Sequence, residues 1–200
     1  MLIAARNAIM GGKRLPYDAK VEYLESTGTQ WIDTEVKPSA DLSTRLTFSY
    51  SKIEKNVSAF GSRSSSTAND RYWINYDSNF EVGYGEYNST GVLTSENAVN
   101  TIVFNEVENG EHTFVINGRR FVCSGTPNQT VNIIVFGRIV GAERYLSAMR
   151  LYDMRMVLDG TLVRDFIPVR VGSVGYMYDR VTKQLFGNQG TGAFIVGPDV

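Results

Sequence analysis

Cysteine and histidine are almost missing from this 200-residue chain: Cys123 and His112 are its single examples. One cysteine cannot close an internal disulfide, so no oxidising compartment is implied. A zinc centre built from Cys and His is excluded on the same count. Any Ser-His-Asp or Cys-His mechanism would have to run through His112. That residue stands in "GEHTFVINGRRFVC", on one strand face with Phe114 and Ile116, where a packed or surface histidine is expected rather than a catalytic one. Charge of one sign is lacking too. A formal net charge of -1 removes any bulk electrostatic case for DNA, RNA or anionic lipid. No P-loop, Rossmann glycine pattern or EF-hand loop is present. "GYGEYNSTG" is glycine-rich but lacks the following helix that phosphate binding exploits.

No membrane span is expected. The apolar opening "MLIAARNAIMGG" is too short to cross a bilayer and lacks the small-residue end of a secretory signal. It reads instead as a short helical arm. Leu2, Ala5 and Ile9 share a face, Ile3 and Met10 border it, and Gly11 and Gly12 stop it. Either the arm is frayed or it buries that face on a partner, and exposed Leu, Ile and Met favour docking. Residues 1–16 are taken as arm and linker and 17–200 as one domain.

What the chain has in quantity is glycine (19), tyrosine (11) and phenylalanine (10), a composition suited to turns and pleated strands. "STRLTFSYS" (43–51) alternates with period two: Leu46, Phe48 and Tyr50 on one face, Arg45, Thr47 and Ser49 on the other. "YWINY" and "FEVGY" flank a hairpin-like turn at Asp77–Asn79. Asn117-Gly118 supplies the two positive-φ residues of a type I′ turn, so 111–116 should pair with 119–124. "VNIIVFG" (131–137) reads as one strand buried on both faces, and "AERYLSAMRLYDM" (142–154) as another single strand. Asp159-Gly160 marks a tight turn, 180–183 a further hairpin, and "GTGAFIVG" a closing strand. The sum is all-β: an antiparallel two-sheet jelly-roll sandwich preceded by the helical arm.

"VEYLESTGTQWIDTEVKP" near the start and "LVRDFIPVRVGSVGYMYDRVTKQLFGNQGTGAFIVGP" near the end resemble the laminin-G-like, concanavalin A-like jelly-roll domains of gut bacteria and their phages. The resemblance spans about residues 21–198. It implies that the first and last strands lie side by side. Gly28 would relax the backbone between two extended pieces, 21–25 and 29–34. One of Trp31 and Ile32 should enter the core, Phe166 should plug it, and Pro168 should mark a strand end or edge.

For function, the resemblance implies a non-enzymatic virion protein: a head or tail decoration or fibre that docks to other virion proteins through its arm, forms a homo-oligomer, and attaches to a host surface or glycan. A bacterial cell-surface glycan-binding or adhesion module is the alternative. A glucanase-like hydrolase is more remote. Such enzymes place carboxylates about 5–5.5 Å apart, and the nearest string, Glu106 to Glu111, falls at a glycine turn and looks like a solvated acidic loop. No cofactor is expected beyond calcium, which laminin-G-like domains hold with loop oxygens. Asp70 and Asp77 are the candidates, with Asn69 and Asn79 beside them, although Asp and Asn at turns are also ordinary turn formers.

The candidate glycan site centres on Trp73. Tyr72, Ile74 and Tyr76 face the core, leaving Trp73 with Arg71 and Asn75 on the other face. A flat aromatic between a cation and an amide suits a sugar. Glu81 on the next strand faces the same way, and Tyr87 could add a second aromatic wall. Burial of Trp73 by a loop or by a neighbouring subunit is equally open.

Overall fold

The computed structural model describes residues 15–127 and 130–200, apart from the side chain of Glu108. The proposed arm helix, with Leu2, Ile3, Ala5, Ile9 and Met10, lies outside the described residues. Within them every regular element is a strand and none is a helix. The first half carries β1 (Ala19–Lys20), β2 (Leu24–Thr27), β3 (Ile32–Asp33), β4 (Leu42–Tyr50), β5 (Val57–Arg63), β6 (Arg71–Tyr76), β7 (Phe80–Ser89), β8 (Asn100–Glu108) and β9 (Glu111–Ile116). The second carries β10 (Arg119–Cys123), β11 (Ile134–Val135), β12 (Gly137–Val140), β13 (Glu143–Leu146), β14 (Ala148–Leu158), β15 (Thr161–Val171), β16 (Val174–Asp179), β17 (Gln184–Phe186) and β18 (Ile195–Val196).

These strands form two sheets. The larger runs β10-β9-β8-β4-β14-β15-β16-β17, with β2 against β14, β18 against β2 and β1 against β15. The smaller runs β7-β6-β5, and the free edge of β5 is shared by β11 and β12, which continue to β3 and β13. Pairing is antiparallel except where β12 runs parallel to β5. Alternation on β4 places Leu46, Phe48 and Tyr50 inward at 2% exposure or less. Phe104 of the large sheet meets Phe60 at 5.2 Å and Tyr72 at 4.6 Å from the small one, edge to face. Such geometry adds to plain burial. Phe48 meets Phe80 and Tyr84 meets Phe114 in the same way. One aromatic-rich core therefore joins the sheets.

The turn residues act as their chemistry requires. Asn117-Gly118 and Asp159-Gly160 both hold positive φ between directly paired strands. Asn109-Gly110 does the same between β8 and β9, so the acidic string Glu106 to Glu111 is a hairpin tip. The two end motifs lie side by side as expected: β18 pairs with β2, and Val21 bridges Asp199. Ile32 enters the core, Trp31 stays half-buried under the Arg144 guanidinium at 4.4 Å, and Phe166 is 1% exposed.

Four expectations need correction. The two extended pieces flanking Gly28 do not continue one another: β2 lies in the large sheet and β3 in the small one, and the chain crosses between them after Gly28 at φ 98°. The crossing leaves backbone groups outside any ladder, so side chains take them. Gln30 accepts the Thr27 N–H at 2.8 Å and donates to the Thr191 carbonyl at 3.1 Å. Residues 142–154 likewise divide at Ser147, with β13 in the small sheet and β14 in the large. The run 131–137 is buried from Ile133 onward, with Val131 and Asn132 half-buried, and Phe136 at φ 71° breaks it into β11 and the start of β12. Pro168 is neither at a strand end nor on an outer edge. It sits mid-β15, where one side of that strand passes from β14 (up to Phe166) to β1 (from Val169). At that seam the missing N–H interrupts no ladder bond.

Candidate functional site

Trp73 lies on the outer face of the small sheet, opposite the main core, as its alternation with Tyr72 and Ile74 requires. It is not an open platform, since it is 6% exposed. Its register partners on both sides are glycines, Gly61 on β5 and Gly83 on β7. The indole lies down over Gly83, where an added Cβ would stand 2.5 Å from a ring carbon. Arg138 of β12 covers it at 5.3 Å from the ring centroid and lies 4.8 Å from the Tyr145 ring. Tyr87 closes the other side at 6.1 Å.

The polar neighbours are engaged with one another. The Asn75 amide donates to Glu81 Oε2 at 2.6 Å, while its oxygen accepts from Ser58 Oγ at 2.9 Å and from Arg138. Tyr87 donates to Glu81 Oε1 at 2.5 Å. That bond to a carboxylate, with burial second, pushes the Tyr87 hydroxyl up to about 12. Burial also lowers the Arg138 pKa, against the pull of Tyr145, Glu81 and Tyr50. Arg71 spans the Asn69 side chain and the Gly85 carbonyl, both at 3.2 Å. The predicted group of Trp73, Arg71, Asn75, Glu81 and Tyr87 is thus brought together, but as a packed network from which chiefly Tyr87, half exposed, reaches solvent. Arg138 and Tyr145, which seal it, were not anticipated. A signal was present: glycines inside two strands mark a close approach by a neighbouring group.

The calcium candidates do not converge. Asn69 and Asp70 precede β6 and Asp77 and Asn79 follow it, so the two groups stand about 20 Å apart at roughly 3.3 Å per residue. Asp70 accepts the Ser64 N–H, and Asn79 Oδ1 accepts from Ser89, Thr90 and Gly91. Among the described residues no three His, Cys, Asp or Glu side chains gather as metal ligands would. His112 is packed against Tyr84. Its Nδ1 lies 2.7 Å from Asn105 Oδ1, and Asn105 is held in that orientation because its amide donates to the carbonyls of Ala40 and Leu42. Nδ1 therefore carries the proton and donates it. Burial pushes the Cys123 thiol up to about 11.

An open concavity lies elsewhere, on the outer face of the large sheet. A hollow of about 520 Å³ is lined by Asp41, Ser43, Arg45, Glu106, Arg155 and Asp159, among others. A second of about 230 Å³ adjoins it, and Arg45 and Arg155 line both. One register row explains this arrangement: Val103 of β8, Arg45 of β4, Arg155 of β14 and Asp165 of β15 lie side by side. Arg45 pairs with Glu106, and Arg155 with Asp165 at 3.1 Å. Asp165 also holds Arg180 at 2.8 Å. Burial alone would raise the Asp165 pKa, but the guanidinium groups of Arg180 and Arg155 outweigh it and hold the carboxyl below its usual value. Glu111 pairs with Arg120 and Glu25 with Arg150. Alternation placed Arg45 outward, but its meeting with Arg155 depends on strand register, which no local pattern carries.

The arrangement can present guanidinium donors, carboxylate acceptors and the apolar sides of Val157 and Leu162 along an open face. No protein-family model matches the chain, and no curated protein matches it significantly.

Proposed function

We propose that this protein is a non-enzymatic attachment module: a lectin-like sandwich carried on a phage virion, as a head or tail decoration or fibre, that holds a host-surface glycan. The observation that carries the reading is the open cleft on the large sheet, where donors and acceptors stand exposed along a face rather than around one reacting point. A polar chain of sugar hydroxyls suits such a surface. The end motifs that carry the resemblance to laminin-G-like and concanavalin A-like domains form one seam, β2 against β18, which is how such sandwiches close. The virion setting rests on the resemblance and on the apolar residues Leu2, Ile3, Ala5, Ile9 and Met10, through which the chain would dock and assemble as a homo-oligomer.

The test has two parts. Binding of the purified full chain to a broad glycan array and to host cells measures attachment, and no retention on either would overturn the reading. An antibody to the chain, applied to purified phage and to bacterial envelopes, decides the setting. Labelling of envelopes alone would favour the bacterial surface module, which would use the same cleft.

A further inference from the structure

We propose that Arg45 and Arg155 together bind the carboxylate of an acidic sugar within a glycan lying along β4 and β14. This rests on the attachment reading above and names the ligand class of that cleft. Two like charges directly opposite on neighbouring strands destabilise a sheet, and Arg45 and Arg155 are such a pair. They are not forced together by burial, for their side chains are 55% and 56% exposed. Among the described residues each spends one hydrogen bond, Arg45 on Glu106 and Arg155 on Asp165. A guanidinium has five N–H donors, so most of each fork faces the cleft. Side chains opposite each other in a ladder stand about 5 Å apart at Cβ, close enough for both forks to grip one carboxylate from either side.

The surroundings select the ligand further. Asp41 and Asp159 line the larger hollow and Asp153 the smaller. A polymer charged at every unit, such as nucleic acid or a heavily sulfated chain, would meet these acids and be repelled. A sugar with one carboxylate among hydroxyls has the complementary pattern: its charge meets the arginine pair, and its hydroxyls donate to the acids on either side. Glu106 is the internal competitor. It is 49% exposed and pairs with Arg45, the guanidinium that the sugar carboxylate would use.

The experiment uses the full chain on an array of uronate- and sialate-bearing oligosaccharides beside the same compounds with their carboxyls reduced to alcohols, with titration calorimetry on those retained. Carboxylate-bearing sugars should bind and their reduced forms should lose about tenfold or more. Arg45→Gln and Arg155→Gln should each cause a comparable loss. Glu106→Gln should tighten binding, a gain that no merely structural role for this residue would give. Arg45 is exposed and makes one hydrogen bond among the described residues, so its variant tests the proposal even if Arg155→Gln folds poorly. Equal binding of acidic and reduced sugars, unchanged in Arg45→Gln, overturns this inference and leaves the attachment reading standing. Binding to no glycan and no host surface overturns both.

Discussion

The hydroxyl of Ser147 donates to the Ser58 carbonyl at 2.8 Å and accepts the Ser58 N–H at 2.7 Å. Ser147 lies between β13 and β14, where the chain leaves the small sheet for the large one. Ser58 belongs to β5, where it faces Asn75 of β6 on one side, while on the other side β11 reaches only to Phe60. One buried hydroxyl thus satisfies both backbone groups of a residue that the β11 ladder does not reach. Ser147→Ala should leave both unsatisfied and cost about 1–3 kcal/mol. Thermal unfolding should show a melting temperature lower by several degrees, at about 2–4 °C per kcal/mol for a chain of this size. An unchanged melt would mean that water replaces the hydroxyl.

Two core tyrosines make a contrasting pair. Tyr72 donates to the Leu42 carbonyl at 2.7 Å, whereas the buried Tyr50 hydroxyl has no hydrogen-bond partner among the described residues. Burial holds both hydroxyls well above the usual tyrosine range. Tyr72→Phe should destabilise by about 1–2 kcal/mol, because the Leu42 carbonyl loses a donor. Tyr50→Phe removes an unmet polar group and should be neutral or stabilising by up to about 1 kcal/mol. Denaturant melts of the two variants check the sign, and equal losses would refute the distinction.

Gly83 makes room for the Trp73 indole. Gly83→Ala places a methyl into the ring, and the ring must move. We expect a loss of about 1–3 kcal/mol and, in a Trp31→Phe background, a red shift of tryptophan emission as Trp73 lifts toward solvent. Stability and emission both unchanged would show that the covering residues yield instead. If Trp73 can act as a sugar platform, this variant is where it should bind.

Asp165 sets a pH dependence with a definite sign. Its carboxyl is held below the unfolded value near 3.8. Its contribution to stability is therefore complete above that value and is lost as pH falls through the folded one. Melting temperatures measured from pH 5 to pH 2 should fall in the wild type. Asp165→Asn should start lower at neutral pH, by about 1–2 kcal/mol, and fall less steeply over that interval. Parallel curves would assign the acid sensitivity to other carboxylates.

Much of this molecule was readable from residue order alone. Period-two alternation on 43–51 separated Phe48 and Tyr50 from Arg45 and Thr47, because neighbouring side chains on a strand must point to opposite faces. Asn117-Gly118 and Asp159-Gly160 specified their hairpins, because few other pairs accept positive φ twice in succession. The packed state of His112 and the outward direction of Trp73 were legible for the same local reasons.

What tertiary structure alone decided is which segments become neighbours. No local preference tells that β2 and β3 belong to different sheets, that Ser147 marks a crossing, or that Pro168 occupies a seam between two partners. Nor could it show that Arg138 would cover Trp73, or that Arg45 would meet Arg155 across a ladder. Each depends on the register of strands distant in sequence. That register is chosen by the joint packing of one core, and it left the predicted aromatic site closed and the arginine-lined face open.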